Sequence, residues 1–200
     1  MELPEEVGIM VLPELVFFPH NLAPLHIFEP RYRRMLEKAL ASDRMFALSQ
    51  ARPGSCNPEP LEVGGIGLIR ACVQNADGTS NLILQGIARV RFVSFTQCQP
   101  YYVGIPVAIE GDRETPTVEE ETLAEKIVEL ACELPCAGGQ TKKEVAQFLH
   151  ELQDFDMLVD IVAGNFLECP DRKQRILETE ERRLRLRLLA TCLHEQQSST

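Results

Sequence analysis

The first half of the chain carries apolar residues in short runs or in alternation with polar residues, which predicts β-strands. In residues 88–97, Val90 and Phe92 fall on one face, while Arg89 and Arg91 fall on the other. This two-residue period is typical of a strand that buries one side of an antiparallel sheet. The predicted strands cover residues 8–13, 23–27, 44–50, 63–74, 80–86, 88–97 and 101–109.

Prolines interrupt the apolar segment near the N-terminus. Residues 10–34 contain four prolines at nearly regular intervals. Because proline cannot donate to a sheet ladder or continue a helix interior, the segment predicts short extended pieces separated by fixed corners. A short amphipathic helix is predicted at 30–41, since Pro30 suits a first helical turn.

The apolar spacing changes to that of helices in the second part of the chain. Thr141 and Glu144 have the sequence pattern of a capping box, which predicts a helix start. Residues 155–166 predict another short helix, and a long last helix is predicted near 171–195, with Leu184 on its apolar line.

Strands followed by helices indicate an α+β fold. We predict a β-rich subdomain over residues 1–112 and a helical subdomain over residues 113–200. The segment 136–140 is predicted to be a linker within the helical part, because it is rich in small residues.

Composition narrows the class of partner. The chain has 200 residues, of which 44% are hydrophobic and 25% are charged, and its net charge is −10. The hydrophobic fraction fits a globular core. The negative net charge argues against general affinity for nucleic acid or anionic lipid, which needs a basic surface.

No apolar run approaches the ~18 residues of a membrane helix, and the acidic N-terminus does not resemble a secretory signal. We therefore expect a cytoplasmic protein that does not associate with membranes.

The sequence lacks the common catalytic and metal-binding motifs. The phosphate-binding loop, the nucleophile elbow, the zinc-protease helix and the dinucleotide turn are all absent. The seven cysteines are scattered, and the spacing of Cys132 and Cys136 is not that of a paired zinc ligand. His20 and His26 lie near Glu29 and could do acid–base chemistry, but we interpret both as exposed polar positions. We predict no catalytic residue, no metal and no other cofactor.

Two basic runs, at 31–34 and 182–187, lie in predicted helices beside glutamates. We interpret both as solvated helix faces on which i,i+4 ion pairs form. A nucleic-acid surface would need both runs on one face, and the negative net charge opposes it.

Several separated motifs resemble the N-terminal domain of Lon proteases and their stand-alone relatives. The N-terminal motif comprises Leu12-Pro13, Val16, Phe18-Pro19, Pro24-Leu25, Ile27-Phe28-Glu29-Pro30 and Arg31-Tyr32. The core motif over 63–92 includes Asp77-Gly78, Gly86 and Arg89, and residues 155–166 resemble a helical segment of the family. The resemblance covers roughly residues 8–195.

The resemblance implies a mostly antiparallel, PUA-like β pseudo-barrel followed by a helical bundle. It also implies a non-catalytic module that recognises unfolded or tagged polypeptides or acts as an adaptor to a partner protein. ATP hydrolysis and Ser/Lys peptide cleavage belong to other domains of Lon. The two alternative functions are an RNA-binding PUA-like protein and an unrecognised enzyme. The oligomeric state is left open, with a homo-oligomer as one option.

A groove bordered by aromatic side chains would suit an extended peptide. The candidate peptide-binding residues are Phe17, Phe18, His20, Phe28, Tyr101 and Tyr102. The proline corners are expected to fix the segments that bring Phe17 or Phe18 into the core.

Overall fold

The structure is a computed structural model that describes residues 2–54, 58–111, 114–134 and 141–198. The strands are β1 (Val7–Leu12), β2 (Leu22–Ile27), β3 (Met45–Gln50), β4 (Val63–Gln74), β5 (Ser80–Gln97) and β6 (Tyr102–Ala108). The helices are α1 (Pro30–Leu40), α2 (Val118–Glu133), α3 (Lys142–Glu151), α4 (Phe155–Phe166), α5 (Pro170–Glu178) and α6 (Arg182–Ser198). The chain divides into a β unit, Met1–Ile109, and a helical unit, Glu110–Thr200. The predicted linker at 136–140 and Cys136 lie outside the described residues.

The β unit is a closed barrel with one additional strand. Its strands follow the order β2-β5-β4-β3-β1-β6, and β5 also pairs with β6. This second pairing closes five strands into a ring and leaves β2 attached to β5 alone among the described strands. All neighbours are antiparallel except β1 and β3, where Ile9 aligns with Ala47 in parallel register. The predicted α+β class with a mostly antiparallel barrel is confirmed.

Two apolar clusters form the core of the β unit, on opposite faces of the strands. Ile9 and Ala47 belong to one cluster, while Met10 and Phe46 belong to the other, since successive side chains of a strand alternate in direction. The second cluster is covered by α1, whose Tyr32 and neighbouring apolar residues are buried as the sequence predicted. The Tyr32 hydroxyl donates to the Val11 carbonyl oxygen at 3.2 Å, and burial raises the pKa of this tyrosine.

β5 is a single strand of 18 residues, so the prediction of two strands at 80–86 and 88–97 was wrong. Its first half pairs with β2 and its second half with β6, while β4 runs along both halves. The sequence suggested a break because glycine is unfavourable inside strands. Gly86 instead occupies a place where another backbone segment packs on the strand.

That segment is the proline-rich stretch before β2. A Cβ atom at Gly65 would lie 2.1 Å from the Phe17 carbonyl oxygen, and a Cβ at Gly86 would lie 2.1 Å from the Phe18 carbonyl oxygen. The crossing chain therefore needs glycine beneath it on both strands. Phe17 and Phe18 are buried in the core, as expected from the proline corners.

The helical unit differs from its prediction in the C-terminal helix. The helix predicted near 171–195 is two helices, α5 and α6, because Thr179 takes an extended conformation and its hydroxyl donates to the Arg175 carbonyl oxygen at 2.8 Å. The buried stripe of α6 contains Leu186, Leu189 and Leu193, whereas Leu184, predicted to be on the apolar line, is 42% exposed.

The interpretation of residues 182–187 as a solvated face was also wrong for two of its arginines, although Arg183 and Arg187 are exposed. Arg182 and Arg185 are buried. The Arg185 guanidinium contacts the carboxylates of Asp156 and Asp160, which lie one turn apart on α4. The carboxylates come from other helices, so no i,i+4 pattern within the run could reveal them.

Arg182 is held by the first turn of α2. Its Nε donates to Glu120 Oε1 at 2.9 Å, and its Nη1 donates to the Glu114 carbonyl oxygen at 3.1 Å. Glu120 also completes a capping box with Thr117, and the predicted capping box of Thr141 and Glu144 is confirmed. The Arg182 guanidinium and the Thr117 donors lower the pKa of Glu120 to about 2.

Within the described part of the chain, no helix has both the length and the apolar character needed to cross a bilayer.

Candidate peptide-binding surface

An exposed sheet face is formed where β2, β5 and β4 lie side by side. Two rows of side chains cross the three strands. The first row is Pro24, Ile83 and Ala71, and the second row is His26, Asn81 and Val73. We call these six residues the exposed sheet face. Their neighbours Ala23 and Leu82 are buried, because successive side chains of a strand alternate in direction.

The exposed sheet face is concave and mainly apolar. All six residues line an open groove with a volume of about 410 Å³, together with Leu25 and Leu82. Val73 is 64% exposed, and Leu22, at the start of β2, is also 64% exposed. Scattered exposed apolar residues are normal on a protein surface, but a continuous groove of them indicates a binding site.

Polar and aromatic groups frame one end of the groove. His26 Nδ1 and Asn81 Oδ1 are joined by a hydrogen bond of 2.8 Å. The His26 ring stacks with the ring of Phe28, with centroids 6.0 Å apart and an angle of 20° between the planes. Phe28 is 60% exposed, so its ring extends the apolar surface beyond the end of β2. At the other end, Arg70 Nε donates to Gln85 Oε1.

The free edge of β2 borders this surface. Open edges offer unpaired backbone groups to an incoming strand, but proline has no N–H. Pro24 therefore removes a donor from the middle of a strand that is only six residues long. The groove suits recognition by side chains better than addition of a long strand.

The six peptide-binding residues predicted from the sequence differ in how far the structure exposes them to solvent. Phe17, Phe18 and Tyr101 are buried, at 4%, 1% and 8% exposure, and they offer almost no surface to a ligand. Tyr102 is half-buried, and its ring packs edge-on against Phe95 with centroids 5.8 Å apart.

His20 and Phe28 are the two exposed members of that set. The backbone N–H of His20 donates to the Gly86 carbonyl oxygen at 2.9 Å, with φ at 65°, so its position follows from the crossing segment. Phe28 alone adjoins the exposed sheet face, through its stacking on His26.

Sequence reasoning missed most of the groove. It noticed His26 only as a possible acid–base partner, and it gave no role to Val73 or Ile83. Strands at 23–27 and 80–86 were predicted, but which side of each strand faces solvent depends on pairing with β4 and on the cover supplied by α1. A register shift between Ile69 and Ala71 decides that Val73 points outward.

Among the described residues, no group of three or more histidine, cysteine, aspartate or glutamate side chains could hold a metal ion. Outside the groove, hydrogen bonds from Thr79 lower the pKa of Asp77 in the turn between β4 and β5. These bonds stabilise the turn, so we assign Asp77 a structural role.

Comparison with known proteins places the chain in a family. The family model described as "ATP-dependent protease La (LON) substrate-binding domain" matches residues 6–195. Lon protease 2 of Bdellovibrio bacteriovorus is 28% identical over 197 residues, covering 94% of this chain and 24% of that protein. A Lon protease of Syntrophus aciditrophicus is 29% identical over 209 residues, covering 98% of this chain and 26% of that protein. The chain thus spans about a quarter of the length of these curated relatives.

Two solved structures share the fold. The N-terminal domain of Lon protease from Mycobacterium avium complex superposes with a TM-score of 0.72 at 17% identity, over 95% of this chain and 98% of that chain. The Lon N-terminal domain protein from Xanthomonas campestris gives a TM-score of 0.70 at 18% identity, over 93% and 97%. With the family match over nearly the whole sequence, the chain belongs to the family of the Lon protease substrate-binding domain.

Proposed function

We propose that this protein is a non-catalytic recognition module that binds extended, apolar segments of unfolded polypeptides on the exposed sheet face. The observation that carries the proposal is the groove itself, in which Pro24, Ile83, Ala71 and Val73 form a continuous apolar surface open to solvent. The family membership supports a polypeptide as the ligand.

The chemistry of the groove favours an unfolded segment over a folded partner. Covering a Val, Leu, Ile or Phe side chain stabilises a complex by about 1.5–3 kcal/mol, so a few apolar residues of a peptide suffice for weak, reversible binding. Phe28 and the His26–Asn81 pair at one end would contact an aromatic side chain or a backbone amide. Folded proteins rarely present such runs of apolar side chains, because those side chains are in their cores.

The test measures how tightly this protein binds a second protein that serves as the ligand. That ligand is kept unfolded by reduction and carboxamidomethylation, and its folded form is the reference. Thermophoresis measures Kd for the wild type and for two variants with the same substitution. Val73→Asp places a charge in the groove. Val93→Asp places the same charge at an exposed valine of β5 outside the groove, where exposure is 58%. We expect Val73→Asp to raise Kd about tenfold and Val93→Asp to change it less than twofold.

Equal effects of the two variants would remove the groove as the binding surface. Binding of the unfolded protein no tighter than binding of its folded form would contradict the recognition function itself. Circular dichroism of both variants checks that the barrel is intact, which we expect because both valines are exposed.

A further inference from the structure

A second cavity lies on the other face of the β4–β5 hairpin. Its volume is about 350 Å³, and it is enclosed by α1, by the chain that follows α1, and by the end of the hairpin. Cys72, Gln74 and Ser80 line it. These residues alternate along their strands with Val73 and Asn81 of the exposed sheet face, so the two sites lie on opposite faces of the hairpin.

Two arginines face this cavity. Arg33 comes from α1, Arg44 is the exposed residue just before β3, and both line the space. Within the described ranges of the chain, neither forms an ion pair with a carboxylate, in contrast to Arg182, Arg185 and Arg187 of the helical unit. The guanidinium of Arg44 makes two long hydrogen bonds, each of 3.4 Å, to the Ile69 carbonyl oxygen, and these leave most of its donors available.

The Arg33 side chain is held in place by the turn of the hairpin. Gly78 adopts φ of 79°, and a Cβ at that position would lie 1.9 Å from Arg33 Nη2. The guanidinium therefore packs directly on the glycine backbone. Arg33 is half-buried, so its position is restricted before any ligand arrives, which lowers the entropy cost of binding.

Charge and apolar surface together define the ligand. Glu37 also lines the cavity, so the charged side chains that line it sum to one positive charge in a protein of net charge −10. One positive charge matches a monoanion, whereas a phosphate dianion would leave the charged groups of the cavity with a net negative charge. Leu36, Leu40 and Cys72 supply an apolar wall beside the arginines.

We propose that this cavity binds the C-terminal residue of a polypeptide. Arg33 and Arg44 hold the terminal carboxylate by charge-assisted hydrogen bonds, and the terminal side chain packs against Leu36, Leu40 and Cys72. This inference rests on the proposed function, to which it adds a preference for a free chain end. The exposed sheet face takes an internal apolar segment, and the cavity takes the end of a chain.

The experiment uses a fluorescein-labelled hexapeptide, Ser-Gly-Ser-Gly-Ala-Leu, prepared with a free C-terminal carboxylate and, separately, with a C-terminal amide. Fluorescence anisotropy measures Kd of each peptide for the whole chain and for Arg33→Gln, Arg44→Gln and the control Arg34→Gln. Arg34 is the next residue of α1, exposed and outside the cavity lining. We expect the free acid to bind at least about tenfold more tightly than the amide. Arg33→Gln and Arg44→Gln should each remove that preference, and Arg34→Gln should keep it.

The outcomes of this experiment separate the inference from the proposed function. Equal binding of acid and amide, or equal effects of Arg33→Gln and Arg34→Gln, would overturn the carboxylate site. If the unfolded protein still bound in a Val73-dependent manner, the proposed function would stand without it. Failure of both the hexapeptide and the unfolded protein to bind would overturn both. Displacement of the hexapeptide by inorganic phosphate more effectively than by acetate would replace the carboxylate with a general anion.

Discussion

One side chain of the helical unit, that of Arg185, is both charged and fully buried. Arg185 is 0% exposed and is the largest fully buried side chain among the described residues. It is compensated by Asp156, Asp160 and the Ile176 carbonyl oxygen. Replacement of one partner leaves the others buried and uncompensated, and such a loss outweighs the modest net gain from forming the pair.

The substitution Arg185→Leu should therefore lower the free energy of unfolding by about 3–5 kcal/mol. Arg187→Leu is the matched control, because Arg187 pairs with Glu119 at the surface, where both side chains are about half exposed. We expect that control to cost less than about 1 kcal/mol. Urea unfolding followed by far-ultraviolet circular dichroism measures both, since the chain has no tryptophan. Equal losses would mean that the buried cluster contributes nothing beyond its surface counterpart.

Acid should weaken the same unit through Glu120. The folded-state pKa of about 2 lies below the ordinary value of 4.5, so the ionised carboxylate stabilises the folded state above pH 4.5. That stability is lost as the pH falls from 4.5 towards 2, because the unfolded chain takes up the proton first. Melting temperatures of the wild type and Glu120→Gln should differ most at pH 6 and converge as the pH approaches 2. A constant difference across that range would contradict the assignment.

At the scale of elements, the sequence predicted where strands and helices occur better than how they meet. Alternation and capping motifs are local, so α1, the capping box of Thr141 and the strands other than β5 were predicted correctly. The carboxylate partners of Arg182 and Arg185 lie 25 to 62 positions away in the sequence, and no local pattern encodes those partners. Gly86 was misjudged for a similar reason, because the chain that packs on it lies more than sixty residues earlier in the sequence.

The crossing of the proline-rich segment over β4 and β5 leads to a test of the barrel. Gly65→Ala would push a methyl group against the Phe17 carbonyl oxygen, and backbone cannot move aside as a side chain end can. We expect a loss of at least about 2 kcal/mol of stability. Gly104→Ala is the comparison, since a Cβ there would come no nearer than 3.1 Å to the Ile9 side chain and 3.3 Å to Phe92 and the Ser94 carbonyl oxygen. Chemical denaturation of both variants should show a clearly smaller loss for Gly104→Ala, and the reverse order would contradict the close crossing.

The candidate site was the least predictable part, for a physical reason. Aromatic residues were chosen because they bind ligands well, but Phe17, Phe18 and Tyr101 are also the side chains that a small barrel buries first. Val73 and Ile83 have no such signature in a sequence. Their role depends on which face of the sheet the rest of the unit leaves open.

For the whole molecule, the acidic charge separates the two kinds of ligand considered from the sequence. Polypeptide binding in the apolar groove should change less than about twofold between about 50 mM and about 500 mM sodium chloride, whereas RNA binding would weaken by orders of magnitude. Titration of the unfolded protein over this range, with a single-stranded RNA oligonucleotide in parallel, measures both. A steep salt dependence for either ligand, with RNA the tighter, would favour the nucleic-acid alternative.

The proline in β2 has a consequence for aggregation, if unfolded chains are the ligands of this protein. Unfolded chains readily build intermolecular β-structure on any unprotected strand, and that growth seeds insoluble fibrils. β2 is the strand that the barrel leaves outside its ring, and it lies directly beside the groove. With Pro24 at its centre, this strand is a poor template for a second copy or for a captured chain. If the proposed function holds, the groove would bind an apolar segment through side chains, and β2 would not become the nucleus of an aggregate.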